Sequence, residues 1–340
     1  MCSREQVSPS AKPGKFPPTA ERRGDASGRP MPGKRFLYRI YGLIVVSEFE
    51  LPELVPVEEG KPNVQIRFGD IPPSLNNPIV DWKWCSASNS EYVLFKHGVA
   101  NYHVADGKLI TIDRRLGLEK SPPAADLRLW LLGSVFGALL HQRGLLPLHV
   151  SAVQTPNGVW AFTGESGEGK STLAGFLIKR FGYELVSDDV SVIDPQDREP
   201  IIYPGPRKLK LWPDALSRFG FEGSKKTRDL SNSEKFQIYL DGEGRYRPQP
   251  LHAVVLLETS QDDSAPALEV LGGIEAFTAM ARTVYRPHMA EWFKLPEQPL
   301  RHLSDLCRRI RVFRFRRPRC LESFEENLKP LTDHMSGGKS

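Results

Sequence analysis

Leu148 to Ile193 reads LHVSAVQTPNGVWAFTGESGEGKSTLAGFLIKRFGYELVSDDVSVI. Within it, Gly164 to Ser171 spell GESGEGKS, the phosphate-loop pattern G-x-x-x-x-G-K-[ST]. Gly164, Gly167 and Gly169 let the backbone wrap a phosphate chain with its N–H groups pointing inward, through Glu165, Ser166 and Glu168. Lys170 supplies a point charge for the β- and γ-phosphates of ATP, and Ser171 offers a hydroxyl to Mg²⁺, with Thr172 next to it. The flanks have the required order. Val159 to Thr163 (VWAFT) predicts a buried strand. Ser171 to Phe181 predicts a helix with Leu173, Leu177 and Phe181 on one face, basic Lys179 and Arg180 in its last turn, and Gly182 as its stop. The helix presents its positive N-terminus to the same anion.

Glu184 to Ser187 (ELVS) predicts the next strand, and Asp188 and Asp189 follow at its end. In a parallel sheet the loop and the acidic pair share the C-terminal edge, where open α/β sheets bind ligands. One carboxylate suits Mg²⁺, directly or through water; the other suits the proton of an incoming hydroxyl. Asp189 is assigned as the base and Asp188, with Ser171, as the metal side, the exchange of the two staying open. By itself an Asp pair is more often a solvated turn or a cap. His149 falls in an apolar strand expected over Leu146 to Val153. Such a histidine is more often a packed core residue, but its place upstream of the loop makes it a catalytic candidate.

LHVSAV, GESGEGKST and LVSDDVSVI together resemble the catalytic core of the HPr kinase family, and more distantly that of phosphoenolpyruvate carboxykinase. That family pairs a histidine upstream of the loop with a double aspartate downstream. The resemblance implies that His149, Lys170, Ser171, Asp188 and Asp189 match active-site positions. It is confined to about fifty residues. Tyr203 to Leu216 (YPGPRKLKLWPDAL) is similar to stretches in shorter HPr-kinase-like proteins found beside peptide-tailoring enzymes. The glycine- and arginine-rich second signature of true HPr kinases has no copy here, and Thr172 stands where they usually have Glu. HPr as the acceptor and the reverse phosphorylase reaction are therefore not carried over.

The 340 residues suffice for one large or two modest domains; 40% are apolar and 26% charged, as in ordinary soluble domains. A net charge of +5 argues only weakly for an anionic partner. Cys2, Cys85, Cys307 and Cys320 have no paired spacing, which predicts reduced thiols and a cytoplasmic setting. Residues 1 to 34 lack an apolar core segment and read as a disordered tail, not a signal; Glu5, Glu21 and Asp25 argue against a transit peptide. The longest apolar run, Leu127 to Leu140, contains Arg128 and is too short to span a bilayer.

From residue 35 to 123 the pattern is short alternating β, with Asp106-Gly107 as a hairpin turn and Trp82 and Trp84 more suited to packing than to ligand stacking. A connecting helix is expected over Ala124 to Gln142. Segment 196 to 250, rich in Pro, Gly and basic residues, reads as a long mobile gate; Arg207, Lys208 and Lys210 line a strand, and Lys225, Lys226 and Arg228 form a loop cluster. Further elements are expected at Leu251–Leu257, Ile274–Val284, Leu300–Arg309, Arg311–Arg316 and Cys320–Met335. Seven arginines lie between Arg308 and Arg319, without a nucleic-acid recognition fold around them.

The expected fold is α/β: a P-loop kinase core of HPr kinase/carboxykinase type over 124–335, preceded by a small β-rich domain over 35–123. The expected activity is ATP- and Mg²⁺-dependent transfer to a Ser or Thr hydroxyl of a peptide or small protein, the specific expectation being a ribosomal precursor peptide of lasso type. A small-molecule kinase and a nucleotide-sensing regulator remain as alternatives. No nucleic acid or membrane partner is expected, and a homo-oligomer is left open.

Overall fold

The computed structural model describes residues 34–114, 124–224, 226–228, 234–240, 247–260, 264–293 and 298–337. The expected tail, except Lys34, and Lys225 of the expected basic cluster lie outside these residues. Nine short strands come first: β1 (Phe36–Ile40), β2 (Leu43–Ser47), β3 (Val55–Pro56), β4 (Val64–Phe68), β5 (Val80–Trp82), β6 (Cys85–Ala87), β7 (Glu91–Lys96), β8 (Ala100–Ala105) and β9 (Leu109–Asp113). They form one sheet in the order β3-β1-β2-β4-β9-β8-β7-β6-β5. Tyr41-Gly42 and the expected Asp106-Gly107 turn reverse the chain with positive φ at both residues, the turn geometry that suits twisted hairpins. Period-two alternation points Ala100, Tyr102 and Val104 of β8 inward.

That inner face lies on the expected connecting helix, which forms as α1 (Ala124–Trp130), a π-helical turn (Leu131–Val135) and α2 (Phe136–Gln142). Leu127, Leu131, Val135, Phe136 and Leu139 share one core with Ile40, Tyr92, Tyr102, Val190 and Val192. Tyr102 donates to Leu127 O at 3.0 Å, and Arg143 Nη1 to Gly107 O at 2.8 Å. The N-terminal sheet is therefore joined to the elements that carry the loop by a continuous core.

The remaining strands are β10 (Leu146–Leu148), β11 (Ser151–Thr155), β12 (Gly158–Thr163), β13 (Glu184–Ser187), β14 (Ser191–Ile193), β15 (Ile201–Tyr203), β16 (Lys208–Leu211), β17 (Lys226–Arg228), β18 (Phe236–Tyr239), β19 (Gln249–Thr259), β20 (Ala267–Leu271) and β21 (Arg311–Arg317). The helices are α3 (Lys170–Phe181), α4 (Pro213–Arg218), α5 (Gly273–Thr283), α6 (Gln298–Arg309) and α7 (Phe324–Met335), with a 3-10 turn at Pro287–Trp292. The second sheet runs β10-β14-β15-β19-β12-β11-β13, with β21 also beside β19 and β20 beside β21. Its centre is buried on both faces, which is why VWAFT shows no polar alternation. Trp160 and Phe162 of β12 face α3 and α7, whereas Val159 and Ala161 face α5 and α6. Among the described residues no helix is long and apolar enough to cross a membrane.

Five expectations change. The sheet is mixed: β12 is parallel to β19, and β11 lies antiparallel between β12 and β13. Two antiparallel pairings restore direction, so the C-terminal ends of β12 and β13 still share one edge. The strand expected over 146–153 is broken at His149 and Val150: β10 pairs with β14 while β11 pairs with β12 and β13. Segment 196–250 is largely folded where it is described. Leu209 and Leu211 of β16 and Ile238 of β18 are buried against α3, in a three-stranded sheet β16-β18-β17. Lys226 and Arg228 belong to strand β17, not to a loop. The last helix starts at Phe324, four residues later than expected.

Candidate functional site

The loop between β12 and α3 takes its shape from glycine. Gly164 has φ +143°, and a Cβ there would lie 2.6 Å from Leu257 O. Gly167 has φ +99°; Gly169, at +79°, caps α3. These left-handed positions admit glycine and strain any other residue. Lys170 Nζ folds back to donate to Gly164 O at 2.8 Å and Glu165 O at 3.1 Å. Burial lowers its pKa, against the pull of Asp188 and Asp189. Glu168 anchors the loop: its carboxylate accepts from Thr259 Oγ1 at 2.9 Å, and its carbonyl from Arg317 Nη2 at 2.7 Å. Its side chain thus reaches the end of β19, while its backbone N–H donates to Glu165 O at 3.2 Å.

Asp188 is buried and fully bonded. Oδ1 accepts from Ser151 Oγ and, at 2.8 Å, from Ser171 Oγ; Oδ2 accepts from Lys210 N at 2.7 Å. Burial raises its pKa in spite of these donors. Asp189 differs. Its side chain is 35% exposed, and it sits at φ +87°, a strained value for a non-glycine residue. Lys210 Nζ donates to Oδ2 at 2.9 Å, and His149 Nδ1 lies 3.5 Å from Oδ1. Burial alone would raise its pKa, but Lys210 and His149 outweigh burial and hold it at about 2. Burial lowers the pKa of His149, against the pull of Asp189. His149 stacks on Tyr285 at 6.2 Å, and its N–H donates to Thr283 O at 2.6 Å.

A cavity of about 400 Å³ connects these groups. Ser166 to Thr172 line it together with Asp188, Asp189, His149 and Lys210, and with Trp212, Leu321 and Phe324. All the expected site residues except Gly164 and Glu165 line it; those two line a neighbouring cavity with His149. Ser171 Oγ and Asp188 Oδ1 face each other as a hydroxyl and a carboxylate do around a phosphate-bound Mg²⁺. Such an ion takes its other ligands from phosphate and water, so no larger acidic cluster is needed.

Other groups at the site were legible only in part. Lys208 and Lys210 alternate with Leu209 and Leu211, so one face of β16 is basic while the other is buried. Ser151 gave no signal at all. The arginine run divides: Arg314 and Arg316 pair with Glu258 and Glu269, whereas Arg317 and Arg319 line the loop cavity together with Lys235.

No family model and no curated protein matches this sequence. Among solved structures, the HPr(Ser) kinase/phosphatase from Coxiella burnetii is similar over 57% of this chain and 99% of its own, at 11% identity and a TM-score of 0.29. This is a weak, low-identity structural match to a mixed α/β fold.

Proposed function

We propose that this chain is an ATP- and Mg²⁺-dependent phosphotransferase that moves the γ-phosphoryl group to a Ser or Thr hydroxyl of a peptide or small protein. One observation carries this reading: Asp188 and Asp189 line two cavities at once, the loop cavity on one side and a second cavity on the other. A nucleotide and an acceptor entering from opposite sides would meet at the acid pair. The division into an N-terminal β-rich part and a catalytic part from residue 124 belongs to the same proposal.

The loop backbone and Lys170 bind the phosphates, and Ser171 with Asp188 would hold Mg²⁺. Bound there, the ion neutralises charge on the β- and γ-phosphates. Asp188 suits that role because Ser171 already shares its Oδ1. Asp189 orients the acceptor: the hydroxyl donates to its carboxylate and aligns its oxygen with the γ-phosphorus. As the new O–P bond forms, the bond to the β-phosphate oxygen breaks and ADP leaves with that electron pair. The hydroxyl proton passes to Asp189. Lys210 keeps Asp189 a weak base in the free protein; it becomes more basic if Lys210 turns to the transferring phosphate. His149 supports Asp189 from its other oxygen.

The test is incubation with Mg²⁺ and γ-labelled ATP, with and without a panel of Ser- and Thr-containing peptides. Label on a peptide hydroxyl, with little release of inorganic phosphate when peptide is left out, is the expected result. Failure to bind Mg·ATP, or rapid hydrolysis unaffected by any acceptor, would overturn the proposal.

A further inference from the structure

The second cavity, about 600 Å³, lies between the N-terminal sheet and the acid pair. Its volume suits a small molecule or a short piece of peptide. Its walls come from distant parts of the chain: Tyr41 from the β1–β2 turn, Lys96 from the end of β7, Asp126 and Trp130 from α1, Lys208 from β16, and Arg286 before the 3-10 turn. The π-helical turn contributes Leu132, Gly133 and Ser134. Such a turn inside a helix commonly marks a functional site.

The charges in this cavity do not balance. Asp189 is matched by Lys210, and Asp188 spends both oxygens on Ser151, Ser171 and the backbone N–H of Lys210. Four cations, Lys96, Lys208, Lys210 and Arg286, line it against three carboxylates, Asp126, Asp188 and Asp189, an excess of one. Lys96 Nζ sits 4.0 Å from the Trp130 ring centroid. Among the described residues neither Lys96 nor Arg286 has a carboxylate partner. Arg286 is held at φ +50°, its guanidinium 5.2 Å from the Tyr285 ring centroid. Its Nε is buried and has no hydrogen-bond partner among the described residues. The guanidinium also hydrogen-bonds the Tyr285 side chain; a strained backbone that sets a guanidinium with one unmatched donor in the wall of the cavity that Asp189 also lines is poised for an anion.

We infer that this cavity is the acceptor site, and that the acceptor carries a carboxylate near the hydroxyl it presents to Asp189, the carboxylate being held by Arg286 and Lys96. The inference rests on the phosphotransferase reading and adds the chemical class of the acceptor. The carboxylate has two sources, an acidic peptide or a small hydroxy acid, which share this chemistry.

Two measurements test it. In transfer assays with Mg·ATP, Ser peptides flanked by Asp or Glu are compared with their Asn and Gln counterparts, and small hydroxy acids with their amides. Acidic acceptors should be preferred about ten- to a hundredfold in kcat/KM, the range for one charge-assisted pair. Lys96→Glu should abolish or invert that preference while calorimetric binding of Mg·ATP is retained. Which set of acids is phosphorylated identifies the source. The second measurement is binding alone: tryptophan fluorescence is followed while acetyl-Ser-Glu-amide, acetyl-Ser-Gln-amide or glycerate is added, with a non-hydrolysable Mg·ATP analogue present. Tighter binding of acids than of neutral partners, lost in Lys96→Glu, supports the inference even if no transfer occurs. Transfer missing with that binding preference intact would count against the kinase reading alone. Equal binding and turnover of acidic and neutral acceptors, or a preference unchanged by Lys96→Glu, overturns the inference.

Discussion

The two cavities that meet at the acid pair are built from different materials. The loop side is built around one continuous run of chain, Ser166 to Thr172, shaped by glycines and tied down by Thr259 and Arg317, which line the same cavity. The acceptor side is a ring of side chains from six separate segments, closed by the N-terminal sheet. Backbone donors cannot be altered by ordinary substitution without altering the fold. Side chains can be exchanged one at a time while the elements beneath them stay in place. A shared phosphate donor calls for the first kind of wall, and a particular acceptor for the second.

The sharpest way to break this contrast is at the junction. Asp189→Asn keeps size and removes the proton acceptor, so transfer should fall about 10²- to 10⁴-fold while Mg·ATP binding persists. Calorimetry beside a transfer assay checks both halves. Loss of Mg·ATP binding in Asp189→Asn, but not in Asp188→Asn, would show the two roles exchanged.

Next in size is the loop itself. Gly164→Ala would set a methyl 2.6 Å from the Leu257 carbonyl, at a φ of +143°. Strain of about 1–3 kcal/mol should appear as a lower melting temperature and weaker nucleotide binding together. Lys96→Ala, on the side-chain-built wall, should change stability by no more than about 0.5 kcal/mol. Equal losses in thermal melts of the two variants would erase the distinction between the walls.

The third prediction concerns pH. Against burial, Lys210 and His149 hold Asp189 near a pKa of about 2, so the carboxylate is ionised throughout the neutral range. A depressed carboxylate stabilises the fold above the ordinary Asp pKa, and that contribution is lost as pH falls through the folded value. Lys210→Met removes the opposing cation and should raise the pKa of Asp189 by about one to three units. The acid limb of the kcat/KM profile should move up by a similar amount. Buried Asp188 is shifted the other way and favours protonation in the fold, so the limb must be assigned by repeating the profile in Asp189→Asn. An unmoved limb in Lys210→Met would show that Lys210 does not set the acidity of Asp189.

The same contrast explains what could be read before folding. Strand, loop, helix and acidic pair are local, so glycine spacing and a 3.6-residue period were enough to place β12, α3 and β13. The contacts that fix the acid pair are not local. Ser151 and Asp188 are 37 residues apart, and Arg317 reaches Glu168 across 149. Nothing near Arg317 distinguishes it from Arg316. The distinction follows from the parallel register of β21 on β19, which sets Arg316 beside Glu258 and Arg317 beside Thr259. Segment 196–250 was misjudged for another reason. Its Pro, Gly and Lys content suggested a gate, yet Lys208-Leu209-Lys210-Leu211 already carried the alternation of a half-buried strand. The break at His149 had no local sign, because β10 and β11 part only to pair with different strands.

The smallest predicted effect probes how the loop is clamped. Thr259 Oγ1 donates to Glu168 Oε2, and Thr259 also lines the loop cavity. Thr259→Val preserves shape and removes that single donor. A hydrogen bond to a charged group contributes about 1.5–3 kcal/mol net. Arg317 still holds the Glu168 carbonyl in the variant, so the loop should loosen without opening. The KM for ATP should therefore rise a few-fold while kcat stays unchanged, because the acid pair and Lys210 are untouched. Steady-state kinetics at saturating acceptor separates the two constants. A fall in kcat at constant KM would mean that the Glu168 carboxylate acts on the transferring group and does more than hold the loop.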